Sequence, residues 1–239
     1  MEIIPVTEVH FQESQASNHN ITEKLFKKLG TYVRNSPGFQ KYSAQELRNL
    51  TIELESWEEP EELTKKFPYY FAGYDSNDWP VWIAEVGKFN IRRAVELGNE
   101  ELLVKYTFKA IYRIIKTIHD KDSPEEEIRF GAFILDYDGF DWYQINHAET
   151  VNFMLRVLRD YKEVIEEFLG YCMLINVSHP AQVLINLVRP ILGRMLERVD
   201  VFGTNKVKWI PALRRKFPEN ILPRWYGGNL TFKPIQVHG

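Results

Sequence analysis

The sequence predicts an α/β fold in which helices cover a mostly parallel, mixed sheet. Two observations lead there. From about residue 71 onward, short apolar runs alternate with longer segments of helical spacing, the pattern of parallel strands joined by crossover helices. The 239 residues are 44 % apolar and 26 % charged, enough for one substantial core.

Residues 1–20 are polar and aperiodic and are read as an arm, followed by a helix from Ile21 to Tyr32. A second helix runs from Ala44 to Trp57, where Ser43 and Glu46 have the spacing of a capping box. Glu53 to Glu62 forms an acidic patch. Phe71–Tyr74 and Pro80–Val86 read as short strands around a turn at Asp75–Asp78. Asn99–Ile118 is a helix with apolar residues on more than one face, so it is expected to be well buried. Ile128–Leu135 is a buried strand, Ile145–Phe168 a long helix, and Tyr171–Val177 another buried strand. Pro180–Leu192 is a helix, Val199–Phe202 a fourth core strand, and Trp209–Lys216 a short closing helix.

Composition removes several functions. A formal charge of -3 argues against nucleic-acid binding. Cys172, the single cysteine, lies in an apolar run and reads as a buried, inert thiol. No signal-like segment and no run long enough to span a bilayer is present, so a cytoplasmic protein is expected, with secretion kept open. Asn20, Asn49, Asn176 and Asn229 head glycosylation-type triplets, read as chance because Asn176 falls in a buried strand.

Phe133-Ile-Leu135 followed by Asp136-Tyr-Asp-Gly139 resembles the nucleophile strand of aspartate-dependent phosphatases. That chemistry needs a Thr or Val after the glycine and a later acidic pair for magnesium. Phe140 stands there instead, and Asp160 and Asp200 are isolated. An EF-hand spacing is also unmet. A strand end turning at Gly139, with Asp138 or Asp141 capping the next segment, is the favoured reading. Nucleotide-binding, hydrolase and zinc-protease signatures are missing. His147 and His179 read as helix-start or packing residues, and no catalytic residue, metal or cofactor is expected.

The segment Pro180–Leu192 is unusual. Gln182, Asn186 and Arg189 make one narrow polar stripe, and apolar residues fill the rest. A helix on one sheet needs a smaller apolar face than this. Burial on both sides or the covering of an apolar cavity would explain it, and Pro190 offers a hinge. From Arg189 to Arg224 nine Lys/Arg face three acids, a stretch suited to an anionic membrane or to a solvated face.

Several motifs then stand in one order: Trp57-Glu-Glu-Pro-Glu-Glu-Leu63, Phe67 to Asp75, Pro80-Val-Trp-Ile83, Gly87-Lys-Phe-Asn90, Asp136-Tyr-Asp-Gly-Phe140, Ile175-Asn176, Arg189-Pro190, Val201-Phe-Gly203 with Trp209, and Leu222 to Gly228. Together they resemble the CRAL-TRIO family of lipid-binding and lipid-transfer proteins, arthropod-type members especially. The resemblance implies a short helical N-terminal lobe within residues 1–66 and a lipid-binding domain over 67–239. It implies a sheet-floored apolar pocket under a movable gate helix, Pro180–Leu192. Family ligands include phosphatidylinositol, tocopherol, retinoids and other isoprenoids such as carotenoids, so a bound lipid or isoprenoid is expected.

Val183, Leu184, Leu187, Val188, Ile191, Phe133, Ile134, Met173, Tyr106 and Ile111 are the expected pocket lining, with Glu85 a candidate polar group. Glu167, Arg189, Arg194, Arg198, Lys206 and Lys208 are the expected headgroup and membrane residues, for transient contact with an anionic surface. Departures from the family pattern are Val177-Ser178 in place of "A-P", Ile165-Glu166-Glu167 in place of "Y-P-E", and no "W-R" before Trp57. Eleven residues lie beyond Gly228, so the C-terminal domain of some relatives is expected to be missing. Three functions remain in view: a carrier of one hydrophobic ligand, a scaffold of this fold that binds a protein partner, and, remotely, a phosphatase using Asp136.

Overall fold

A computed structural model describes residues 22–238. The arm at 1–20 lies outside the described residues, as does Ile21. Four helices come first: α1 (Glu23–Val33), α2 (Pro37–Gln40), α3 (Ala44–Ser56) and α4 (Glu61–Lys66). Next along the chain are β1 (Tyr69–Tyr74), β2 (Pro80–Ala84), α5 (Ile91–Glu96), α6 (Glu100–His119) and β3 (Gly131–Asp136). Then come α7 (Trp142–Ile145), α8 (Ala148–Phe168), β4 (Leu169–Val177), α9 (His179–Leu192), β5 (Val199–Gly203), α10 (Lys206–Lys216) and β6 (Gln236–His238).

Local chemistry sets the helix starts. The Ser43–Glu46 capping box forms, with both reciprocal bonds present. Asp141 caps α7 by accepting from Tyr143 N–H at 3.1 Å, and Asn205 caps α10. The helix expected over 145–168 is two pieces, because His147 takes an extended conformation and caps α8 through Thr150 N–H. His179 opens α9 and packs on the Trp142 ring.

The sheet order is β5-β4-β3-β2-β1-β6. β2, β3, β4 and β5 run parallel. β1 pairs antiparallel with β2 on one side and β6 on the other. Two parts of the sheet differ from the sequence reading. β5 is not a core strand: it is the edge, and most of its residues are exposed or half-buried. β6 leaves no mark in the sequence pattern, because three residues carry no usable alternation. Helices cover both faces of the sheet. Tyr69, Phe71, Trp82, Phe133, Cys172 and Leu174 pack with α1, α6, α8 and α9 on one face. Tyr70, Ala72, Val81, Ile83, Ile134 and Met173 pack on the other with Trp209, Leu213 and Phe217 of α10 and with Tyr226.

The carboxyl ends of the parallel strands meet around one buried carboxylate. Asp136 is 8 % exposed. Its Oδ1 accepts from Asn176 Nδ2 at 2.8 Å and from Asp138 N–H at 2.9 Å, and its Oδ2 accepts from the Tyr226 hydroxyl at 2.6 Å. Asn176 reaches it from the left-handed region, φ 55°, which Asn tolerates better than most side chains. Gly87 is required nearby, since a Cβ there would stand 2.0 Å from the Asp138 carbonyl oxygen. Burial, then the Asp136 charge, pushes the Tyr226 phenol far up, so it remains a donor. Tyr226→Phe leaves one carboxylate oxygen buried without a partner. It should lower stability by about 1–3 kcal/mol, read as a drop in urea midpoint at unchanged slope.

Candidate functional site

An apolar cavity of about 360 Å³ lies on the α6/α8 face of the sheet. Its floor is β1 to β3, where alternation turns Tyr69, Trp82, Ala84, Phe133 and Leu135 inward. One wall is an α6 stripe of Leu103, Tyr106, Thr107, Ala110 and Ile114, spaced at three, four and seven residues. The other wall is α8, through Phe153, Met154, Val157, Leu158, Tyr161 and Ile165. Phe67, Phe89 and Ile91 close one side. Eight of the twenty lining residues are aromatic and none is charged. Two of the lining residues, Ala84 and Ala110, are small, and the rings around the cavity are too rigid to collapse into the gap.

The polar atoms of this lining are largely spent. The Tyr106 hydroxyl donates to Phe67 O at 3.0 Å, and Thr107 Oγ1 donates to Leu103 O at 2.9 Å. Trp82 Nε1 donates to Thr117 Oγ1 at 3.0 Å. The Tyr69 hydroxyl accepts from Arg113 Nη1 at 2.7 Å, and burial pushes its pKa up to about 12.

The structure brings Tyr106 and Phe133 together at the cavity and separates the other expected lining residues. Ile134 and Met173 lie on the opposite face, packed toward α10, because neighbouring residues of a strand point to opposite sides. Ile111 is buried in the same core as the cavity walls but not at the cavity. Val183, Leu184, Leu187, Val188 and Ile191 do not border it either: α9 packs on α8 and β4, and α8 supplies the wall. Leu184 is buried, whereas Leu187 is 46 % exposed. Glu85 falls just after β2, pairs with Lys88, and borders a separate polar cavity of about 260 Å³ with Asp136, Asp138 and Trp225.

The basic residues divide similarly. Arg198 donates to Glu166 O at 2.9 Å and Leu169 O at 2.8 Å, satisfying carbonyls at the end of α8. No ion pair joins it to Glu167 among the described residues, and Glu167 is half-buried near Tyr32. Arg189, Arg194, Lys206 and Lys208 are exposed, and the two lysines flank Val207, which is 81 % exposed. Asp136 has both oxygens engaged, an arrangement suited to holding strands together. Burial pushes the Cys172 thiol up to about 12, so it stays neutral. Among the described residues no group of three or more His, Cys, Asp or Glu is placed to hold a metal ion. No helix there is long and apolar enough to cross a membrane.

Sequence reasoning missed a charged clamp. Lys105, Lys109, Arg113 and Lys116 form a stripe on α6 and meet Glu53, Glu59, Glu59 and Glu55, at 2.5, 3.4, 2.8 and 2.5 Å. Lys109 also donates to Trp57 O. The acidic patch at 53–62 thus ties the N-terminal helices to the helix that walls the cavity. The three-to-four spacing of the α6 cations was the available signal.

Burial raises the Glu59 pKa, but the Arg113 bonds and the Arg113 and Lys109 charges outweigh it and hold the carboxyl low. His238 packs on Tyr69 and Trp82 at ring distances of 5.1 and 6.0 Å. Burial, then Arg113, pushes its pKa down from 6.5 to about 4. Both groups make the fold acid-labile, in different windows. His238 binds its proton more readily unfolded, so its contribution is complete above about pH 6.5 and is lost as pH falls to about 4. The Glu59 contribution is present above its ordinary value of 4.5 and is lost below it. His238→Gln should therefore flatten the stability profile between about pH 6.5 and 4, measured by urea melts across pH. Glu59→Gln strips the carboxylate partner from the half-buried Arg113 and should cost about 1–3 kcal/mol at pH 7.

A sequence model described as the CRAL/TRIO domain matches residues 64–228, a span that includes every residue of the cavity lining. The crystal structure of Sfh5 superposes with a TM-score of 0.61 at 16 % identity, covering 89 % of this chain and 74 % of that chain. At that identity the likeness is one of fold.

Proposed function

This chain belongs to the CRAL/TRIO domain family, and from that premise we propose that it is a carrier of one hydrophobic molecule, held between β1–β3, α6 and α8. The observation that carries the reading is the uncharged, ring-walled cavity of about 360 Å³. A scaffold binding only a protein partner would have no need for that space, and side chains would fill it. At roughly 30 Å³ per water-sized group, the cavity holds on the order of a dozen non-hydrogen atoms, one chain or one ring system. Each methylene moved from water into it contributes about 0.8 kcal/mol, so a dozen would offset much of the cost of carrying an apolar molecule through water.

Exchange requires a wall to move. We assign that movement to α8 with α9 packed behind it, and the hinge to Pro190 and Gly193, the latter at φ 53°. The exposed Arg189, Arg194, Lys206 and Lys208 face an anionic membrane during exchange, with Val207 as the inserting apolar residue. Each cation near such a surface contributes about 1 kcal/mol.

Mass spectrometry of an organic extract of the purified protein should find an apolar molecule at up to one equivalent. Ala110→Trp places an indole in the cavity and should weaken uptake of a fluorescent apolar probe at least about tenfold, while circular dichroism stays native. Uptake at the unaltered level in that variant would place the ligand elsewhere. Reversing two charges, Lys206→Glu with Lys208→Glu, should lower partitioning onto phosphatidylserine vesicles by about tenfold or more, with probe uptake in solution unchanged.

A further inference from the structure

β6 is the outer strand on the β1 side of the sheet and is lightly held. It pairs with β1 through Gln236 on Phe71, Val237 on Tyr70 and His238 on Tyr69. Ile235 and Val237 are 60 % and 57 % exposed, so little apolar burial reinforces the pairing, and a segment of that kind opens at low cost. On the helix face its anchor is the His238 ring, beside Tyr69 and stacked on Trp82. Both of those rings belong to the cavity floor. The His238 ring is badly placed to carry a proton. Its Nε2 is sealed from solvent and has no hydrogen-bond partner among the described residues. The charged groups around it are Arg113 and Lys109 of α6 and Glu59 ahead of α4. Arg113 holds the Tyr69 hydroxyl at 2.7 Å, so an imidazolium at His238 and the guanidinium would crowd one ring. Glu59 offers no relief, because Arg113 and Lys109 already hold its two oxygens. The neighbouring phenols, Tyr69 and Tyr106, are kept protonated by burial and add no charge.

Resting on the carrier reading, we infer that β6 is a proton-released latch on the β1 edge of the cavity: when His238 is protonated the strand peels from β1, uncovers Tyr69 and Trp82, and lets the bound molecule leave. Peeling moves the imidazolium into water and away from Arg113 and Lys109. This exit is separate from the α8 wall. It is also local, because the Glu59 carboxyl is held below its ordinary 4.5 and keeps its charge at about pH 5. His238 takes a proton at about 4 in the closed strand and at 6.5 in water. The closed form is therefore favoured above about pH 6.5 and loses ground as pH falls toward about 4. Those two affinities raise the opening constant about 30-fold between about pH 7.5 and pH 5.

Hydrogen exchange of the full-length protein, read by mass spectrometry and corrected for the intrinsic effect of pH, tests the strand directly. Protection of the β6 and β1 peptides should fall about 30-fold from about pH 7.5 to pH 5, while the β3 peptide stays protected. His238→Phe keeps a ring and takes no proton, so it should hold β6 closed at both values. His238→Lys carries its charge throughout and should leave β6 open at both. The dissociation rate of bound N-phenyl-1-naphthylamine should rise with the same pH step in the unaltered chain and stay level in His238→Phe. A pH step that survives in His238→Phe, a β6 still protected in His238→Lys, or β3 exchanging together with β6 overturns the proposal. So does a strand that opens while probe release stays unchanged. A probe that binds at neither pH, with the β6 response intact, brings down the carrier reading instead.

Discussion

Asp136 stands at the carboxyl end of β3, buried, with both of its oxygens accepting hydrogen bonds. Through them it joins β3 to Asn176 at the end of β4 and to Tyr226 in the C-terminal segment. A carboxylate taken out of water is tolerated only when such partners are present, so these three segments must adopt one arrangement together. Gly87 adds a fourth, because only a residue without Cβ lets the loop after β2 press on the Asp138 carbonyl. The dispersed motifs of the sequence, Gly87, Asp136 to Gly139, Asn176 and Tyr226, meet here as one structural knot. The aspartate that resembles a nucleophile in the chain is a tie between strands in the fold.

That knot orients a sheet with two unlike faces. Toward α10 the space is filled, with Ile83, Ile134, Met173 and Trp209 almost wholly buried. Toward α6 and α8 the rings of Tyr69, Trp82, Phe133 and Phe153 hold open a volume they cannot fill. Ring side chains have few rotatable bonds, so they frame a cavity of fixed shape where aliphatic chains would repack. Ala84 on the floor and Ala110 on the α6 wall are small and leave that space available for a guest.

α6 serves both the cavity and the N-terminal helices. Its Tyr106 and Ala110 face the cavity, while its Lys109 and Arg113 hold Glu59 and the Trp57 carbonyl. Lys28 adds a second tie, with its ammonium on Asp122 at 2.6 Å and on Ile128 O at 2.6 Å. The Glu59–Arg113–Lys109 group is shielded from solvent and depends on every member, whereas outer pairs such as Lys105–Glu53 contribute little. The position of one cavity wall is thereby coupled to how the N-terminal helices are docked.

Much of this was legible in the chain. Helical spacing placed α6, α8 and α9, the capping box started α3, and alternating element types specified a parallel sheet and its class. Those features rest on interactions between residues a few positions apart, so the sequence by itself determined them. It left open which neighbour each surface meets. β3 and β4 are buried on both sides, and a strand of that kind shows no alternation to say which residues see the cavity. Phe133 and Ile134 are equally apolar neighbours, yet one borders the cavity and the other packs toward α10. The richly apolar α9 signalled burial without saying against what, and the less apolar α8 turned out to wall the cavity. Only the tertiary structure decided these points, because facing is set by contacts between residues far apart in sequence, and a side chain's polarity records that it leaves water but not which neighbour replaces it.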